Sequence, residues 1–355
     1  MSEEGHFVSP GAPTIVNVAK LAGTSTATVS RVLNQTDYPV SEATRKRVLK
    51  AAQDLNYTPN LVSKMLKTKS GKTLGIIIPS FQNPFFIQLT MGIEQAARSN
   101  GYSTFVFSSQ RDRRIERRLI TQVMQLRISG LLLSSIDHKS DALDSYLASG
   151  AVAAVFEAEY PLNSAVIDAT PHMDENGYLA TSHLLDSGHR QIAFLTTPLK
   201  RHNRTMVCKG FRQAMEDRGI PVGPQDIFES HAERELDDGL YEFEAGKELA
   251  RDILACGRAY TAIVAVNDLL ACGIVHQLVK AGVRVPEDIS VVGIDDIPQS
   301  AMISPALSTV NQQSYQHGHD VCLHLIERLK DNRVVHGERC YKAPKMVERE
   351  SVLKL

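Results

Sequence analysis

The chain has 355 residues, 43% of them hydrophobic and 22% charged, with a formal net charge of −1. That exceeds one typical domain and is ample for a large core, while no apolar run approaches the length needed to span a bilayer. No secretory signal pattern is visible, and Cys208, Cys256, Cys272, Cys322 and Cys340 lack a Cys-x-x-Cys pair; reduced thiols, a cytoplasmic location and no zinc site are therefore expected.

Residues 1–13 are polar and read as a disordered arm. From Thr14 to Leu33, two short apolar-periodic segments flank a break at Ala22-Gly23-Thr24-Ser25. Thr14 and Ser25 each offer a side-chain oxygen to the free N–H groups of a helix start, and Gly23 accepts the positive φ that ends the first helix. Ala19, Val29 and Val32 form the seam. The pattern predicts a helix-turn-helix, whose second helix enters the DNA major groove; an ordinary helical hairpin has the same local geometry. A third helix is expected from Ser41 to about Leu55, with Val48, Leu49, Ala52 and Leu55 on one face and Arg45, Lys46, Arg47 and Lys50 elsewhere. Pro59 opens a further helix, too short to be stable alone, and Thr68 to Thr73 reads as a flexible basic link. Up to Lys72 there are ten Lys+Arg against five Asp+Glu, and the remainder holds 29 against 35. A basic head on an acidic body suits phosphate contact at one end only.

After Lys72 strands alternate with helices. Leu74–Pro79, Tyr102–Phe107, Gly130–Ser134, Val152–Phe156, Ile192–Leu195, Ala262–Val266 and Ile289–Ile294 read as strands. Phe86–Asn100, Ile115–Arg127, Thr205–Arg218, Ala245–Leu254 and Leu269–Ala281 read as helices. Such alternation predicts an α/β body of doubly wound parallel sheets, more naturally two lobes than one. Ligands bind beyond the carboxyl ends of such strands. The loops there offer Gln82, Asn83, Phe85, Phe86, Arg201, Asn203, Arg204, Tyr241, Glu242, Phe243, Asn267, Asp268 and Asp295, chemistry suited to a small polar molecule. Blander roles stay open: Asp268 as a helix cap, Phe86 as core, Glu242 and Arg201 as solvated charges. Helix Leu269–Ala281 is apolar on more than one face and is a candidate for self-association. No glycine-rich phosphate loop, His-Glu-x-x-His, Gly-x-Ser-x-Gly or metal spacing is found, so no enzyme, metal or cofactor is expected.

Val18-Ala19-Lys20-Leu21-Ala22-Gly23, Thr28-Val29-Ser30-Arg31-Val32-Leu33-Asn34, Leu55-Asn56-Tyr57-Thr58-Pro59-Asn60 and Gly293-Ile294-Asp295-Asp296 closely resemble the lactose- and purine-repressor family. The resemblance runs from about Thr14 to Val352. It implies a helix-turn-helix domain at 14–58, a hinge helix and linker at 59–72, and a two-lobed body like a periplasmic binding protein at 73–355. The lobes would be about 73–170 with 312–341, and about 171–311 with 342–355. It further implies that Thr26, Ala27 and Arg31 read base edges, that Thr28, Ser30 and Asn34 meet phosphates or caps, and that Leu66 wedges into the minor groove with Lys67 beside it. Asn267 and Asp295 would contact the effector, with Phe85, Arg201, Asn203, Arg204, Tyr241 and Asp268 around it. The expected function is a transcriptional regulator, usually a repressor, working as a homodimer or tetramer on a pseudo-palindromic operator. A sugar or sugar derivative would control it, with a phosphorylated carrier protein as the alternative controller and a plain sugar-binding protein as the competing class. Two departures stand out. Val207 occupies the position where family members place an effector arginine, three residues before Gly210-Phe211. Val166 to Asp174 lacks the family's usual crossover sequence.

Overall fold

Side-chain caps fix where the helices of the N-terminal head begin. A computed structural model of the chain describes residues 13–33, 38–58, 72–136, 140–156, 166–231, 241–331 and 342–355. These fall in two compact units, within Met1–Gly71 and Lys72–Leu355. In the head, α1 (Ile15–Ala22) opens on a reciprocal cap: Asn17 N–H donates to Thr14 Oγ1 at 3.4 Å, and Thr14 N–H to Asn17 Oδ1 at 2.8 Å. It ends at Gly23, φ +59°, where open space surrounds the absent Cβ; backbone conformation, not crowding, calls for glycine. Ser25 Oγ accepts from Thr28 N–H at 3.2 Å to start α2 (Thr26–Leu33). Ser41 Oγ accepts from Thr44 N–H at 3.3 Å to start α3 (Glu42–Asp54). Val18, Ala19, Ala22, Val29, Val32, Val48, Ala51 and Ala52 make the core. Leu49, expected on that face, is instead 49% exposed, because Val48, Ala51 and Ala52 set the phase of the helix.

The body opens with β1 (Thr73–Ile78), α4 (Pro84–Ser99), β2 (Ser103–Ser108), α5 (Arg113–Gln125), β3 (Gly130–Ser134), α6 (Asp141–Ala148), β4 (Val152–Phe156) and β5 (Val166–Asp168). These strands form a parallel sheet, β2-β1-β3-β4-β5, and β1 and β3 are buried throughout, which is why they read as unbroken apolar runs. The second lobe holds α7 (Met173–Asp186), β6 (Ile192–Thr196), α8 (His202–Asp217), β7 (Ile227–Glu229), α9 (Tyr241–Ala255), β8 (Ala262–Ala265), α10 (Asp268–Lys280), β9 (Ser290–Ile294), β10 (Ser308–Asn311) and β11 (Lys345–Val347). Its sheet runs β11-β10-β9-β8-β6-β7, parallel except for β10 with β11. Between those two strands, α11 (Ser314–Lys330) returns to the first lobe and buries Val321, Cys322, Leu325 and Ile326 against Leu74, Ile76 and Ile93. The chain therefore crosses between lobes after β5, after β10 and after α11.

Three helix pairs cross through reciprocal glycines. Gly92 and Gly318 join α4 to α11, Gly177 and Gly210 join α7 to α8, and Gly246 and Gly273 join α9 to α10; a Cβ at any of the six would strike a backbone carbonyl of the opposite helix. Leu269 and Ile297 of the second lobe pack into the apolar cluster of the first, so the lobes meet directly. Helix α10 turns Leu270, Ile274 and Leu278 into its own lobe and leaves Val279 50% exposed, which accounts for most of its excess apolar character.

Candidate functional site

On the head, Thr26 and Ala27 are exposed at the start of α2, and Thr28, Ser30 and Arg31 are half-buried behind them. The Thr28 hydroxyl is within 3.0 Å of Ser25 Oγ, so it belongs to the cap. The Arg31 guanidinium lies 3.8 Å from the centroid of the Tyr38 ring, a cation–π stack that limits its rotamers. Asn34, Leu66 and Lys67 lie outside the described residues.

In the body, one buried carboxylate gathers the polar groups of both lobes. Glu242, in the first turn of α9, is 3% exposed. Its Oε2 accepts from Asn83 Nδ2 at 3.0 Å and lies 3.2 Å from Arg111 Nη2, both on the first lobe. Its Oε1 accepts from Arg204 Nη2 and Asn267 Nδ2 on the second lobe, each at 2.7 Å. Burial alone would raise the Glu242 carboxyl, but the guanidiniums of Arg111 and Arg204 hold it below its ordinary range. The two asparagines do two jobs each. Asn83 Oδ1 caps α4 through Phe85 N–H at 3.0 Å, and Asn267 Oδ1 caps α10 through Leu270 N–H at 2.9 Å, which leaves both amide NH2 groups for Glu242.

Around this hub, Arg204, Asn267 and Tyr241 are brought together with Glu242, and Asn203 is buried beside them, its Oδ1 accepting from Arg204 N–H at 2.8 Å. Arg201 is pushed down to about 10 by burial and by the nearby charges of Arg111 and Arg204. Asp295 is buried, with Oδ1 accepting from Gln312 Nε2 at 2.6 Å; Gln312 lies at the second crossover and takes a further bond from Asn176 Nδ2 at 3.1 Å. Burial, and then the charge of Asp268, raise the Asp295 carboxyl well above the ordinary carboxylate range. Asp295 also has φ +130°, a strained backbone setting for a side-chain-bearing residue.

Two expected residues take scaffold positions. Asp268 is fully buried and accepts from Thr309 Oγ1 and Ser300 Oγ at 2.6 Å each and from Ile297 N–H at 3.1 Å, so it braces the loop after β9. Phe85 sits edge-on to Phe86, ring centroids 5.2 Å apart, inside the first lobe's apolar cluster. Phe243 packs 5.6 Å from the His276 ring and lines a surface groove with Val275 and Val279, away from the Glu242 hub. Val207 is fully buried, and its carbonyl abuts Gly177 at the crossing of α7 and α8, so an arginine's usual place is taken up by helix packing. Arg111 had no signal in its own sequence context, and Glu242 read equally well as a surface charge. Among the described residues no His, Cys, Asp and Glu group is placed to hold a metal, and no helix is long and apolar enough to cross a membrane.

Two family models match the chain: "Bacterial regulatory proteins, lacI family" over residues 14–60, and "Periplasmic binding proteins and sugar binding domain of LacI family" over residues 71–343. The HTH-type transcriptional repressor PurR of Photobacterium profundum is 34% identical over 343 residues, covering 96% of this chain and 98% of its own. PurR of Haemophilus influenzae strain PittEE is 33% identical over 342 residues, covering 96% and 98%. Among solved structures, the lac repressor dimer bound to operator and the anti-inducer ONPF aligns with a TM-score of 0.81 at 26% identity, covering 96% of this chain and 99% of that one. A complex of the transcriptional regulator CelR with cellobiose aligns with a TM-score of 0.69 at 26% identity and the same coverage.

Proposed function

This chain belongs to the lacI family of bacterial regulatory proteins, DNA-binding repressors rather than enzymes, and from that premise we propose that a small polar ligand between its two lobes sets its affinity for a pseudo-palindromic operator. The single observation that supports this most is the convergence of side chains from both lobes on Glu242. A ligand that replaces some of those contacts changes the free energy of lobe closure, and differential affinity for two states is all that allosteric control needs. The ligand is a sugar or sugar derivative, held by Arg201, Arg204, Asn267 and Asp295 with Asn203 and Tyr241 beside them. The protein acts in the cytoplasm as a homodimer, since one helix-turn-helix reads too few base pairs for a unique address. Thr26, Ala27 and Arg31 read base edges, while Thr28, Ser30 and Asn34 serve phosphates and caps.

Fluorescence anisotropy of the full chain on a candidate operator tests this reading, with sugars, nucleosides and sugar phosphates screened for thermal stabilisation beforehand. A compound that raises the unfolding midpoint is expected to change operator affinity. Asp295→Ala should remove that response and leave ligand-free DNA affinity near the wild-type value. Loss of ligand-free DNA binding in Asp295→Ala would make the residue structural and count against the reading. Sedimentation of the full chain as a monomer at micromolar concentration would count against the dimer.

A further inference from the structure

Tyr38 is an aromatic residue that the core of the head does not use. It is 55% exposed, whereas Val40, two residues on, packs against the cluster of Val18, Val29, Val32 and Val48. A lone exposed ring needs no explanation in itself. This one covers a charge: the Arg31 guanidinium carbon lies over its face, 3.8 Å from the centroid. The chain on both sides restrains the pair. Arg31 stands in the last turn of α2, between the buried Val29 and Val32 that hold the helix on the core. Pro39 fixes its own φ and keeps Tyr38 out of the helical region. Val40 then anchors the chain, and Ser41 Oγ starts α3 by accepting from Thr44 N–H. The ring therefore sits on a short, restricted lead-in to a capped helix. Stacking engages the face of a guanidinium, whereas bidentate pairing with guanine O6 and N7 engages its edge, so one arginine can do both at once. An arginine already held on a ring has lost part of its rotamer freedom before DNA arrives, which lowers the entropy cost of docking.

We propose that Tyr38 is a positioning residue for DNA reading: its ring holds the Arg31 guanidinium so that the edge is presented to a guanine in the major groove. This rests on the reading of Arg31 as a base contact and adds the residue that makes that contact selective. A loosely held arginine pairs with phosphate oxygens on any sequence, while one held at a fixed angle gains most where a base edge offers two acceptors. Removing the ring therefore weakens binding to the cognate base pair more than to the others. The phenol hydroxyl has no part in this, because the contact is with the ring face. An exposed cation–π contact corresponds to roughly a two- to fivefold change in an equilibrium constant, which sets the scale of the effect.

The test uses the full chain. Selection from a randomised DNA pool gives the preferred half-site, and fluorescence anisotropy on duplexes substituted one position at a time locates the base pair at which Arg31→Ala loses discrimination. At that base pair Tyr38→Ala should lose roughly two- to fivefold in discrimination. The other positions, non-specific affinity and the salt dependence should hold, since Arg31 keeps its charge. Tyr38→Phe should retain the wild-type profile. Tyr38→Leu keeps apolar bulk without a π face, guards against a loss of fold, and should behave like Tyr38→Ala. In an Arg31→Ala background, Tyr38→Ala should add nothing at that base pair. Undiminished discrimination in both Tyr38→Ala and Tyr38→Leu would overturn the inference. So would a loss in Tyr38→Phe equal to that in Tyr38→Ala, which would make the hydroxyl a DNA contact in its own right, or a Tyr38→Ala loss that persists without Arg31. The underlying reading fails separately. Equal weakening of every sequence by Arg31→Ala would remove the base contact, and the inference with it. A base-specific loss in Arg31→Ala beside an unaltered profile in Tyr38→Ala would remove the inference alone.

Discussion

Replacing Glu242 by glutamine removes the charge on which four donors converge, at nearly unchanged shape. In the wild type each contact with Arg111 and Arg204, at 3.2 and 2.7 Å, joins full charges away from water. At an effective dielectric near 20 such a pair gains roughly 4 kcal/mol, against a desolvation cost of several kcal/mol per ion. The intact cluster is therefore close to balance, but its one-sided removal is not. Glu242→Gln removes the carboxylate that Arg111 and Arg204 share and turns an amide NH2 toward donors, a loss of about 3–5 kcal/mol. Urea unfolding followed by far-ultraviolet circular dichroism measures this at neutral pH. The pH dependence gives a second reading. The folded Glu242 carboxyl is held below its ordinary value of 4.5, so its contribution is fully present above that value and lost as pH falls through the lower folded value. That acid limb should be reduced in Glu242→Gln. A loss under ~1 kcal/mol with an unchanged acid limb would refute the view that this carboxylate holds the lobes together, because an exposed ion pair is worth no more.

Other expectations follow from single residues. Arg31→Ala should relax base preference at one position by roughly 1–3 kcal/mol; equal weakening on every half-site sequence would make Arg31 a phosphate contact. Gly210→Ala drives a Cβ into the Asp174 carbonyl and to 2.7 Å from Tyr178 N, so overpacking should cost about 1–3 kcal/mol in thermal unfolding, and an unchanged midpoint would mean the helices part freely. Burial raises Asp268 from 3.8 to about 6 against three opposing donors, so the wild type should lose stability relative to Asp268→Asn as pH rises through that interval and stay level above it; a flat difference would refute the shift. Leu66→Ala should weaken specific operator binding and reduce the DNA bend while sparing non-specific binding; unchanged affinity and bend would leave residues 60–72 as a tether.

The head was legible because its structure is local. Thr14, Ser25, Ser41 and Gly23 each act within four residues of their own position, and Leu49 lies one step of helix phase from the buried face. The alternating strands and helices were equally plain wherever strands are buried on both faces. Short polar strands were not. In β10, Ser308 and Thr309 are fully buried because Ser308 pairs with Ser351 and Arg349 while Thr309 donates to Asp268, partners about 40 residues away. Helix α11 leaves a weak periodic pattern because its buried face is built partly from Ser314, His317, Gly318 and Cys322, which carry little apolar signal. Glu242 could not be told from a surface charge, since what buries it is Arg111 and Asn83, more than a hundred residues upstream.

The choice of capping residue explains how the two lobes come to share that one carboxylate. Serine, threonine, aspartate and asparagine all satisfy the free N–H groups of a helix start, but only asparagine keeps an amide donor pair on the same side chain. Asn83 opens α4 on the first lobe and Asn267 opens α10 on the second, and each spends its oxygen on its own helix. Their nitrogens then point outward from two helix N-termini, where the backbone dipoles favour negative charge. Glu242 supplies that charge, and its two oxygens divide between the lobes: Oε2 to Asn83 and Arg111, Oε1 to Asn267 and Arg204. Aspartate at either capping position would preserve the helix start and lose the donor, placing a second carboxylate against the first. The same local rule that starts a helix thus also places the donors for interlobe contact, already organised by secondary structure before any other interaction forms.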